Sequence, residues 1–184
     1  MSKKSIESIS DESVAQDLVV YDFLTSIDVS ENKIGKEGAK ALAKALHANK
    51  YLTFIDISWN QIEDEGIIAL SEALHFNRTL LSIDLSWNGI GKEGATALAG
   101  ALHVNNSLCS IDLYSNQIGD EGAKLFAEAI GVNKSITSIA LGWNQIHEGG
   151  AKALAEMLRF NTCIASFDLN NNPIGEGGVK ALAD

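Results

Sequence analysis

The apolar positions of this chain follow two different periods within one recurring unit. In Leu24-x-x-Ile27-x-Val29-x-x-Asn32-x-Ile34, apolar Ile27 and Val29 alternate with polar Ser26, Asp28 and Ser30. A period of two predicts a short strand with one face buried. A few residues on, Ala39, Leu42, Ala43 and Leu46 fall at i, i+3, i+4 and i+7, one apolar stripe of a predicted helix. Lys40, Lys44 and His47 lie on its polar side, and Glu37 near its start complements the helix dipole.

The unit repeats every 28 residues without insertion. Asn32, Asn60, Asn88, Asn116, Asn144 and Asn172 keep that spacing, as do Ile34, Ile62, Ile90, Ile118, Ile146 and Ile174. The glycines at 38, 66, 94, 122, 150 and 178 form a third column in phase with both. With Leu24 as position 1, five full units run to Cys163, and a sixth runs from Ile164 to position 21 at Asp184. One unit cannot bury its own stripe, so neighbours must stack. Helices are wider than the spacing of strands, so the expected architecture is α/β: a curved solenoid with a parallel sheet on the concave face and helices on the convex face. The Asn column is expected to turn inward and bond loop backbone that would otherwise be buried unpaired.

The pattern L-x-x-L-x-L-x-x-N-x-I-G-x-x-G-x-x-x-L-x-x-x-L resembles the leucine-rich repeats of ribonuclease-inhibitor type across residues 24–184. It is similar to NOD-like-receptor sensing arms and to repeats in some bacterial effectors. The resemblance implies a right-handed horseshoe segment that binds a partner through its concave face. Residues 1–23 are expected to form an N-terminal segment with a degenerate capping helix over Asp11–Val19, where Val14, Ala15 and Leu18 fall on stripe positions. The end at Asp184 leaves an apolar flank uncapped, which fits a trimmed chain, a weak natural end or a dimer contact.

Composition narrows the partners. A formal net charge of −10 repels phosphate and argues against nucleic acid. It suits a protein with a basic surface and equally serves solubility. No apolar run is long enough to span a membrane, and the acidic stretch from Ser5 to Asp17 does not read as a secretory signal. Cys109 and Cys163 read as free thiols of a reducing compartment. The expected location is therefore the cytoplasm, or the host cytosol for a translocated effector. Asn77, Asn105 and Asn133 open Asn-x-Ser/Thr triplets that are expected to stay unglycosylated there.

Positions 3, 5, 7 and 8 of each unit are expected to face the concave side. Position 5 carries Asp28, Asp56, Asp84, Asp112 and Asp168, broken only by Ala140. Such a ladder attracts Arg and Lys of a partner, or is a solvated strand face copied with the repeat and flanked by Ser26, Ser82, Ser110, Ser138 and Ser166. Position 8 holds all three tryptophans, Trp59, Trp87 and Trp143, with Glu31, Ser115 and Asn171 in the other units. Tyr114 at position 7 partly fills the gap between Trp87 and Trp143, and Phe54 at position 3 adds an aromatic. The column reads either as an interface ridge or as rings stacked to stabilise the loops.

No catalytic constellation stands outside the repeat register, and no cofactor or metal is expected. Gly35-x-x-Gly38 resembles a phosphate loop, but Glu37 stands where such a loop needs Ser or Thr. His47, His75 and His103 recur once per unit near helix ends, without the i, i+4 spacing of a zinc helix. The expected function is a non-enzymatic protein-interaction module. The alternatives are a regulator of an enzyme, such as a GTPase activator or an active-site-blocking inhibitor, and a self-associating structural protein. Arg78 and Arg159, the only arginines, lie at or beside helix ends, which disfavours an arginine finger.

Overall fold

The computed structural model describes residues 23–184. The capping helix expected over Asp11–Val19 lies outside the described residues. Six strand–helix units follow one another: β1 (Ser26–Asp28) and α1 (Gly35–Ala48), β2 (Phe54–Asp56) and α2 (Glu63–Phe76), β3 (Ser82–Asp84) and α3 (Lys92–Val104). Then come β4 (Ser110–Asp112) and α4 (Gly119–Val132), β5 (Ser138–Ala140) and α5 (Glu148–Phe160), β6 (Ser166–Asp168) and α6 (Gly175–Ala183). The strands form one parallel sheet in sequence order. Each pairs with the next at a shift of one repeat, so Ile27, Ile55, Ile83, Ile111 and Ile139 stand side by side, followed by Phe167.

The core lies between sheet and helices. Strand residues such as Ile55, Ile57, Ile83 and Leu85 meet helix residues such as Leu42, Leu70, Leu98 and Phe126, all buried. Small residues let the helices close up. A Cβ at Gly66 would sit 2.9 Å from the Cβ of Ala39 on α1 and against Ile62, so the helix spacing leaves room only for hydrogen there.

Two asparagine columns, one at each end of the helices, satisfy the turns. At position 9, Asn88 donates from Nδ2 to the carbonyls of Ile57, Leu85 and Ser86 at 2.9–3.1 Å. Its Oδ1 accepts from the backbone N–H groups of Asn60 (3.0 Å) and Ile62 (3.4 Å) in the preceding unit. The inward turn expected for this column is present. At position 26, Asn49, Asn77, Asn105, Asn133 and Asn161 cap the helix C-termini. Asn105 Nδ2 donates to Leu74 O and Asn77 O, and its Oδ1 accepts from Ser107 and Leu108 N–H. The three triplet asparagines are thus buried, with their amide nitrogens engaged in the fold.

Helix starts differ between units. Among the described residues no helix is capped at its N-terminus by the side chain of its own N-cap residue. Instead, Asp64 of unit two accepts from Gly91 N–H (2.7 Å) and Gly94 N–H (3.0 Å), capping α3 of the next unit. Asp120 does the same for α5 through His147 N–H at 2.7 Å. In these two units position 12 is extended, whereas Gly35, Glu63, Gly119 and Gly175 hold it at φ of 57–65°. That is why α3 and α5 begin one residue later in the repeat than the others.

Candidate functional site

The strand face is built by the pleat. In each three-residue strand the central apolar side chain turns into the core, while the residues on either side turn outward. Positions 3 and 5 therefore share the outer face, and the pairing register sets Asp28, Asp56, Asp84 and Asp112 in one row. Ala140 interrupts the row and Asp168 resumes it.

Each of these carboxylates is held by its own chain. Asp56 Oδ1 accepts from Ser58 N–H (3.0 Å) and Ser58 Oγ–H (2.7 Å), and Asp84 does the same with Ser86. Asp28 holds Ser30, Asp112 holds the Tyr114 N–H, and Asp168 holds Asn170. The hydroxyls that pair with the ladder are those of position 7, not the position 3 serines that the sequence set beside it. The second oxygens of Asp56, Asp84 and Asp112 make no hydrogen bond among the described residues. No lysine or arginine occupies positions 3, 5, 7 or 8 in any unit. Asp112 shows the consequence: partial burial, then the charges of Asp84, Asp168 and Asp56, push its carboxyl above the usual range against the opposing Tyr114 hydrogen bond.

Beside the ladder, the chain turns at position 8 with φ of 53–60° in all six units. Inter-unit hydrogen bonds impose that turn. Trp59 N–H donates to Ser86 O (3.0 Å), Trp87 N–H to Tyr114 O (2.9 Å), and Ser115 N–H to Gly142 O (2.9 Å). Left-handed backbone suits Asn171 and costs a bulky side chain of order 1 kcal/mol or more. Yet Trp59, Trp87 and Trp143 occupy it at 49%, 43% and 54% exposure. Trp59 and Trp87 stack with ring centroids 4.0 Å apart and planes 15° from parallel. Tyr114 leans near Trp87 at 6.5 Å, tilted by 48°. It reaches toward the gap as expected, because Gly142 leaves space: a Cβ there would stand 2.7 Å from the Tyr114 ring and from Asn170 Oδ1. Trp143 stands between Ser115 and Asn171, neither of which offers a ring. Phe54 is exposed at 37%, at the outer edge of β2.

The helix face is different. A groove of about 1200 Å³ runs between α1 and α2, lined by Lys40, Lys44, His47, Ile68 and Phe76 among others. Lys40 in this groove bridges Glu37 at 2.7 Å and Glu65 at 3.7 Å, and Lys36 bridges the same Glu65 at 2.9 Å. Among the described residues no helix is long and apolar enough to cross a membrane.

The sequence matches the family described as Leucine Rich repeat six times in succession, at residues 23–43, 48–71, 76–99, 104–127, 132–155 and 160–183. The chain is a leucine-rich-repeat protein. No curated protein sequence matches it. Among solved structures this leucine-rich-repeat protein is similar to actin-binding site 2 of leiomodin-1, with a TM-score of 0.69 and 20% identity over 80% of this chain and 86% of that one. It is also similar to the C-terminal domain of tropomodulin from Caenorhabditis elegans, with a TM-score of 0.63 and 13% identity over 95% and 90% of the two chains. At these identities the likeness is one of fold.

Proposed function

We propose that this leucine-rich-repeat protein is a non-catalytic binding module that takes a basic protein surface on its strand face. The contacts would come from Asp28, Asp56, Asp84, Asp112 and Asp168, with Trp59, Trp87, Trp143, Tyr114 and Phe54. One observation carries the reading. Tryptophan stands half exposed in a strained backbone column that Ser115 and Asn171 occupy with the same φ, so folding does not call for it. Stacking accounts for Trp59 with Trp87 but not for Trp143. Tryptophan concentrates at interface hot spots, and the adjacent row of carboxylates supplies the electrostatic complement. The actin-binding site named for the leiomodin-1 neighbour supports a protein ligand for this fold, without naming one for this chain.

The reading includes repeats of ribonuclease-inhibitor type, supported by a 28-residue period and helices of 13–14 residues in the five full units. A reducing, cytosolic setting is supported by the free thiols of Cys109 and Cys163.

The test is capture of a partner from lysate by the protein and by a Trp59→Ser/Trp87→Ser/Trp143→Ser variant, with circular dichroism of both. A partner lost by the variant with unchanged dichroism supports the strand face. Equal capture by both rejects it.

A further inference from the structure

Resting on the strand-face reading, we propose that the occupant is a basic amphipathic helix lying across β1 to β4, with one cationic turn over each strand. The argument is one of pitch. The ladder offers one carboxylate per strand in uninterrupted register from Asp28 to Asp112. Neighbouring strands are about 4.8 Å apart, so four carboxylates span about 14 Å of sheet. An α-helix rises about 1.5 Å per residue, so cationic residues at i, i+4, i+7 and i+11 span about 16 Å. That error is well within the reach of Lys and Arg side chains. An extended segment presents alternate side chains about 6.7 Å apart, so four of them span about 20 Å and slip out of phase by more than one strand. Curvature toward this face brings the carboxylates closer together and widens the misfit of the extended form.

A second row runs parallel to the first. Position 8 follows position 5 by three residues in every unit, so the stacked Trp59 and Trp87 flank Asp56 and Asp84 along the direction a crossing rod would take. A helix with a basic stripe on the ladder sets the residues at i+1, i+5 and i+8 about a quarter-turn away, beside those rings. Apolar side chains there would meet the indole faces. The row ends where the pitch match ends: Ala140 carries no carboxylate, and the Tyr114 ring lies over Gly142. The cationic run of the helix is therefore four turns' worth of contacts and no more.

The experiment uses two synthetic peptides with the same number of Arg and Leu residues. One is stapled into a helix with Arg at i, i+4, i+7 and i+11 and Leu at i+1, i+5 and i+8. The other alternates the same residues around a central proline, which prevents a helix. Affinity is read by tryptophan fluorescence at low and physiological salt, for the protein and for an Asp56→Asn/Asp84→Asn variant checked by circular dichroism. The expected result is at least tenfold tighter binding of the helical peptide, falling at least tenfold in the variant and weakening with salt. Equal binding of both peptides, lost together in the variant, overturns the helix while leaving the acidic strand face in place. Helical binding that the variant does not weaken overturns both readings. Binding of neither peptide overturns the helix, and the capture experiment then decides separately whether the face docks other chemistry.

Discussion

At position 9 all six units carry asparagine, buried in the inner four, whereas at position 8, one residue earlier, the side chains are Glu31, Trp59, Trp87, Ser115, Trp143 and Asn171. Both positions share the same turn, and both are fixed by hydrogen bonds between neighbouring units. They differ in which atoms the fold uses. At position 9 it uses the side chain, because an amide alone supplies donors and an acceptor in one plane to five backbone groups. At position 8 it uses only the backbone N–H, so the side chain is left open. Uniformity in one column and variety in the next thus have separate physical causes within a single turn.

The comparison breaks most readily at position 9. Asn88→Ala leaves the N–H groups of Asn60 and Ile62 without a partner, while the carbonyls of Ile57, Leu85 and Ser86 each keep one other donor, from Asn60 Nδ2, Asn116 Nδ2 and Trp59 N–H. Each buried unsatisfied group costs about 1–3 kcal/mol, so two of them make a loss of about 2 kcal/mol or more expected in urea unfolding. Because each unit leans only on its neighbours, hydrogen exchange should quicken first on both sides of unit three. If the midpoint barely moves, the column is not what holds the turns.

A smaller effect is expected from Asp64→Ala, which removes the cap that unit two lends to α3. The loss should be about 1 kcal/mol, with faster amide exchange at Gly91 and Gly94. Asp120→Ala should report the same at His147.

Trp87→Ser copies the residue already present at Ser115. It removes a stacking interaction of roughly 0.5–1.5 kcal/mol and relieves the strain of a bulky side chain in left-handed backbone, so stability should change by under about 1 kcal/mol. A drop as large as that of Asn88→Ala would show that position 8, too, serves the fold through its side chain.

The smallest change is a gain. The Asp112 carboxyl is pushed upward, so folding favours its protonated form. Its stabilising contribution is present below the unfolded value and lost as pH rises through the folded one. Asp112→Asn keeps an oxygen for the Tyr114 N–H and removes the charge. At neutral pH it should raise stability by less than about 1 kcal/mol, and the gain should vanish as pH falls below the carboxylate range. A gain that persists unchanged in acid would point to packing instead of charge.

Much of this was legible along the chain. Over residues 24–184 the two periods located the strands and helices, and the uniform 28-residue spacing set the register of the sheet. The acidic row and the aromatic column followed from that register, and Tyr114 does lean toward its gap. Other features were not legible. The sequence set the position 3 serines, Ser82 among them, beside the ladder, and only the backbone path decides that Ser58 and Ser86 at position 7 reach the carboxylates. Asp64 and Asp120 lie in the first turns of α2 and α4, but the partners of their side chains lie a full repeat away.

The sequence by itself determined the repeat, its alternation of strand and helix, the parallel order and the columns that share a face. These depend on periodicity, and periodicity is a property of the linear chain. Tertiary structure alone decided the conformation at position 8, the caps lent from unit to unit, and the space over Gly142 that Tyr114 enters. Each of these depends on contacts about 28 residues apart, where distances set by stacking, not local preference, select which groups meet.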